Sequence, residues 1–333
     1  MRIRYRYIDR LKGIAILLVV LGHILVFSTH GAQYATVSKF IGSMHMQLFM
    51  FVSGFVGFRM IEKPYKNGIM NVLRRIPKYV WPMYVVGWLL AIFLMLMFMN
   101  KDNVSVNMTL SSAYWGNWYW YLKTLSIFTV MSLPVMIYKN KVVDVGVVLF
   151  NYVLFFILWK FGKELGANLC MEHATCFFPF YAMGMFCRKY KEIDKIISFV
   201  YVPCISLITY VILFNIEFSN HLFNNVSVRF MQPICAIVFL RYVFAKTELI
   251  RNCALNELEN LGKQSLDIYL FHYFLVFPIN FYILDSLGKE VIPPSIMLLL
   301  FISVTICIAY LSMLVGTLIR KSNILSILIF SPK

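Results

Sequence analysis

The stretch IDRLKGIAILLVVLGH, Ile8 to His23, decides how this chain is read. Asp9, Arg10 and Lys12 make a charged entrance, and an unbroken apolar run from Gly13 to Leu21 follows before Gly22-His23. The pattern predicts a membrane helix. Lys12 and His23 are eleven residues apart, about three turns, so they share one face about 16 Å apart along the axis. With Lys12 at one edge of a roughly 30 Å hydrocarbon layer, His23 falls near its middle. An ionisable side chain at that depth is costly and marks a candidate functional site.

The rest of the chain fits this reading. The 333 residues are 60% hydrophobic and 14% charged, far from the balance of a soluble domain. Apolar windows recur near 13–29, 40–60, 79–99, 118–137, 142–160, 174–188, 197–215, 228–245, 264–284 and 294–318. The expected fold is an all-α polytopic membrane protein of about ten transmembrane helices. Alternating lumen-facing polarity is absent, which argues against a membrane β-barrel. Of the 31 Lys and Arg, 24 fall in the alternate segments that start with the N-terminus and five in the others. That bias predicts both termini on the cytoplasmic side. It also accounts for the net charge of +16 without a nucleic-acid partner. No A-x-A site follows the first span, so it is expected to be retained rather than cleaved. The expectation is one integral membrane domain over residues 1–333.

The seven Cys are scattered singly, and no C-x-x-C or His/Cys metal spacing occurs, so no metal is expected. Cys170 and Cys176 fall near one external loop and are close enough in sequence to pair. The longest external loop is expected at about 100–117. The sixth span is expected to be broken at Phe177-Phe178-Pro179-Phe180, since Pro opens the helical ladder.

Five groups of residues stand out. His23 suits a general base or nucleophile, or alternatively a packing hydrogen bond between helices. His45, about six residues in from Lys39, reaches a depth near that of His23, although a histidine there also suits a headgroup contact. Arg74, Arg75 and Lys78 cluster at a helix start on the cytoplasmic face, where they suit either a phosphate-bearing donor or plain charge-set topology. His272 shares one face with Ser265 and Tyr269, again near mid-depth. Trp118 and Trp120, with Trp115, Tyr119 and Tyr121, read as an interfacial aromatic belt or as stacking surfaces for sugar rings. Lys123 lies within that span, where a cation belongs to a cavity or snorkels.

Together these segments resemble the integral membrane acyltransferase family 3, in particular its fucose 4-O-acetylase-like branch. The resemblance rests on IDRLKGIAILLVVLGH, SMHMQLFMFVSGF, RRIPKYVWPMY, NWYWYLKTL, FFPFYAMG and SLDIYLFH, which run in family order from residue 8 to 272. It implies a ten-helix core that moves an acyl group, most often acetyl from cytoplasmic acetyl-CoA or a similar acyl-CoA, to a sugar hydroxyl. No permanently bound cofactor is implied. The acceptor would be a cell-surface or lipid-linked carbohydrate, beside membrane lipids as partners, in a bacterial inner or plasma membrane. It maps the catalytic histidine to His23 and its basic partner to Lys12, and donor binding to Arg74, Arg75 and Lys78. Asp9 would orient Lys12, and His45 and His272 would orient His23 or the substrate. Trp118, Trp120 and Lys123 would face the acceptor. Gln47 departs from the family, which usually has Pro there. No esterase-like domain is expected after the tenth helix. A transporter or flippase for a glycan lipid is the rival class. It shares the helices and buried polar groups but makes no acyl product.

Overall fold

The computed structural model describes residues 4–27, 34–98, 105–216, 226–279 and 293–330. Among them every regular element is helical. Six helical segments are long and apolar enough to cross a membrane: Arg6–Phe27, Ala35–Gly57, Tyr65–Met97, Lys141–Phe161, Ser227–Lys246 and Pro294–Lys321. A further pair, Lys191–Ile197 and Tyr201–Asn215, bends by 62° at a short break. The chain is an all-α, multi-pass membrane protein. Many large apolar side chains are exposed, as on Lys141–Phe161 at Val142, Leu149, Phe150, Val153 and Ile157. Such a surface suits lipid, where every backbone group must be satisfied within the protein.

The chain forms two compact units, Met1–Val52 with Phe186–Gly316, and Ser53–Met185 with Thr317–Lys333. The first unit is built on α1 (Arg6–Phe27), α2 (Ala35–Gly42) and the start of α3 (His45–Gly57).

In the second unit, α4 (Tyr65–Leu73) and α5 (Pro77–Phe98) precede α6 (Val106–Trp115), α7 (Trp120–Met131) and α8 (Leu133–Ile137). Then come α9 (Lys141–Phe161), α10 (Lys163–Asn168) and most of α11 (Met171–Lys189). The expected loop at 100–117 proves to hold α6. Ser105 caps it by accepting from the Met108 N–H, and Gly116 ends it at φ +64°. They are ordinary helix start and stop signals that the polar composition concealed. Residues 99–104 of that loop lie outside the described ones.

The expected break at Pro179 does not occur: α11 runs through it. Its flanking residues Phe178, Phe180 and Tyr181 are fully buried, and Phe178 packs edge-on against Phe128 and Phe155. Packing on that scale outweighs the one hydrogen bond a proline removes. A helix break does occur in an earlier segment, at Ser132 between α7 and α8, where Pro134 sits in the first turn of the new helix.

The first unit continues with α12 (Lys191–Ile197), α13 (Tyr201–Asn215) and α14 (Gln232–Lys246), which is entered through a π-helical turn at Ser227–Met231. Then follow α15 (Cys253–Lys263), α16 (Ser265–Pro278) and α17 (Pro294–Lys321), whose end leads to α18 (Asn323–Phe330) in the second unit. Met44, Tyr210 and Ala236 form one buried cluster, with Leu18 and Phe214 against it. The Tyr210 hydroxyl is 2.8 Å from Ser43 Oγ, so α2, α3 and α13 are joined by a polar bond inside that cluster.

The foot of α1 is clamped by α15. The backbones touch: a Cβ on Gly262 would run into the Asp9 carbonyl, and one on Gly13 into that of Leu258. Glycine is what allows two helices to approach so closely. Around this contact Arg6 donates to Glu259 at 2.7 Å and to Asn256 at 3.0 Å. Arg10 is fully buried and donates to the carbonyls of Thr247 and Ile250.

Candidate active site

Two of the residues singled out in the sequence, His23 and His272, meet in the first unit together with Tyr273. His23 comes from the last two turns of α1, and His272 and Tyr273 come from α16. The His23 and His272 rings stack with centroids 5.2 Å apart and planes 28° from parallel. The Tyr273 hydroxyl lies 3.1 Å from His23 Nε2. Phe27 stacks on His23 at 5.9 Å, and Phe277 backs Phe27 at 4.9 Å, so apolar rings flank the imidazoles. His45, at the start of α3, interacts electrostatically with His23, as does His272. His23 and His272, histidines from separate spans, thus meet ring to ring.

The three imidazoles are held differently. His272 Nδ1 is 3.0 Å from the Ile268 carbonyl and 2.8 Å from that of Tyr269. A carbonyl only accepts, so Nδ1 carries the proton and the neutral ring has its lone pair on Nε2. His45 Nδ1 is 2.7 Å from the Ile41 carbonyl, which fixes the same tautomer. For His23 the bond to Tyr273 engages Nε2 itself. His272 is fully buried, whereas His23 and His45 are partly exposed. Tyr269 lies on the face of α16 that carries His272, with ring centroids 6.0 Å apart.

At the foot of α1, Asp9 is buried and paired with Arg4 at 2.6 Å. Lys12, one turn on, is half-buried and feels the Asp9 charge without an ion pair to it. Asp9 thus lies beside Lys12, as expected, but its direct partner is Arg4. In the second unit, Arg74 and Lys78 are exposed, whereas Arg75 is half-buried and donates to the Gly57 carbonyl at 2.6 Å. The basic trio therefore divides into two exposed cations and one that closes the end of α3.

The aromatic rim also divides. Trp120 is half-buried, with His173 4.2 Å and Phe177 5.2 Å from its ring. Trp118 is half-buried as well. Lys123 is buried and donates to Asn117 Oδ1 at 3.1 Å and to the Asn168 carbonyl at 2.8 Å, with Cys170 Sγ at 3.6 Å. Cys170 and Cys176 form no disulfide.

Tyr273 is the site residue that the sequence reading passed over. It adjoins His272, but its partner His23 is 250 positions away, and no local periodicity reports such a contact. Among the described residues no group of His, Cys, Asp and Glu is placed to hold a metal ion. A family model described as an acyltransferase domain matches residues 5–314, nearly the whole chain. No curated protein and no solved structure matches the chain.

Proposed function

The chain belongs to the membrane acyltransferase family 3, and from that premise we propose that it moves an acetyl group from cytoplasmic acetyl-CoA, or a similar short acyl-CoA, to a carbohydrate hydroxyl. The acceptor is a cell-surface or lipid-linked glycan, and the protein resides in a bacterial inner or plasma membrane with both termini inside. Ten spans in one domain and the fucose 4-O-acetylase-like branch belong to the same reading. The observation that carries it is the His23–Tyr273–His272 cluster, buried among helices and flanked by apolar rings.

Acyl transfer needs a group that takes the hydroxyl proton and donors for the developing oxyanion. His23 sits at the reacting centre, where it takes that proton or carries the acyl group in transit. Tyr273 supplies a hydroxyl at 3.1 Å from it. Lys12 in the first unit, and separately Arg74 and Lys78 in the second, are cations suited to a donor's phosphates, with Arg75 shaping the segment that presents the latter two. Trp118 offers the acceptor a ring face, while Trp120 and Lys123, already engaged by neighbours, shape that rim.

The test compares cell-surface glycans by mass spectrometry from cells with the wild-type protein, with His23→Ala at equal protein level, and with none. Glycans one acetyl heavier in the wild-type cells alone are the expected result. Equal masses in all three refute the reading and favour a protein that only moves a glycan lipid.

A further inference from the structure

One buried atom in the cluster is held for a partner that no group among the described residues provides. His272 Nε2 is shut off from solvent and has no hydrogen-bond partner among the described residues, although the ring is fixed by two carbonyls on Nδ1. A buried acceptor without a donor destabilises the fold. Moving the proton to Nε2 would not help, because it would leave a nitrogen that lacks a proton against both carbonyls. The fold therefore holds a lone pair ready beside the ring of His23, whose own Nε2 is occupied by Tyr273. In hydrolases that use a serine–histidine pair, a carboxylate holds the imidazole in its working tautomer. Here two backbone carbonyls of one helical turn do the same.

Resting on the acyl-transfer reading, we infer that His272, rather than His23, is the base that receives the proton of the acceptor hydroxyl. The O–H proton passes to Nε2 as the oxygen forms its ester bond to the acyl carbon. The thioester C–S bond breaks with its electron pair on sulfur, and Nε2 returns the proton to the thiolate. Because Nε2 is closed to solvent, the proton comes from a group bound in the site and not from bulk water. His23 and Tyr273 are left on the acyl side of the reaction.

The test uses the full-length protein in lipid nanodiscs, with acetyl-CoA and a glycan extract from the producing cells. His272→Asn keeps an amide N–H for the carbonyls of Ile268 and Tyr269 and removes Nε2. His272→Gln keeps an acceptor oxygen without basicity. Both are expected to lose about 100-fold or more of transfer. Both are also expected to keep the rise in melting temperature that free coenzyme A gives the wild-type protein. Nitrogen-15 NMR of histidine-labelled wild-type protein, assigned by the signal lost in His272→Asn, is expected to show Nδ1–H and an unprotonated Nε2. Near-wild-type transfer by either variant, or a proton found on Nε2, overturns the inference. If neither variant can be purified, an Nε2–H signal still refutes it, with the signal assigned through its couplings to labelled Ile268 and Tyr269. A wild-type protein that acetylates nothing refutes the acyl-transfer reading itself, and the inference falls with it.

Discussion

The hydroxyl of Tyr273 lies 3.1 Å from Nε2 of His23, joining α16 to α1 at the level where the imidazoles stack. This bond sets the ring plane of His23 against its neighbours. Replacing Tyr273 by Phe keeps the ring and its contact with Phe277 at 5.7 Å while removing the hydroxyl. A lost neutral hydrogen bond corresponds to about 0.5–1.5 kcal/mol, so acyl transfer is expected to fall roughly two- to tenfold. The rate of coenzyme A release from acetyl-CoA, measured at equal protein concentration, checks this. An unchanged rate would remove Tyr273 from the site.

The basic trio is expected to separate under mutation. Arg74→Ala and Lys78→Ala remove exposed cations and should raise the KM for acetyl-CoA several-fold with little change in melting temperature. Arg75→Ala should also lower the melting temperature, because its guanidinium closes the Gly57 carbonyl. Melting curves and donor titrations of the three variants, compared side by side, distinguish the roles.

Gly262→Ala is expected to be among the most damaging small changes in the chain. Its methyl group would collide with the Asp9 carbonyl, a backbone atom that no rotamer change can move. Overpacking of this kind costs about 1–3 kcal/mol and more where backbone must shift. Thermal melting in detergent, with Gly42→Ala as the control since open space surrounds Gly42, measures the loss.

Glu259, on α15 outside the spanning helices, gives the clamp a pH dependence. Burial pushes its carboxyl pKa up, but the hydrogen bonds from Lys263 and Arg6 outweigh burial and hold it below the usual range. A depressed folded-state pKa means that the carboxylate stabilises the fold above the unfolded pKa. That contribution is lost as pH falls through the folded value. The melting temperature of the wild-type protein is therefore expected to drop below about pH 4.5 more steeply than that of Glu259→Gln. Parallel curves would show that Glu259 adds nothing to the clamp.

Much of this architecture was legible in the residues, and what escaped has physical reasons. His23, His45 and His272 announced themselves because imidazoles are scarce and costly inside apolar spans. The helical fold was legible because lipid leaves the backbone few alternatives. Pro179 misled because sequence shows the missing N–H but not the packed rings of Phe178, Phe128 and Phe155 that hold the helix straight. The helix α6 hid inside a polar stretch, although Ser105 and Gly116 mark its two ends. The hold of α15 on α1 and the bond from Tyr273 to His23 are long-range pairings. They depend on which glycines and rings meet in space, and no spacing rule along the chain reports that.

The contact between Gly13 and Leu258 makes α1 a lever pinned near one end. His23 sits ten residues up a stiff rod from that pin, an arm of about 15 Å. A tilt of about 4° at the pin would swing the imidazole by about 1 Å, a displacement that can cost a catalytic site about 100-fold. Changes on α15, far from any reacting atom, should therefore register first as lost turnover and only later as lost fold.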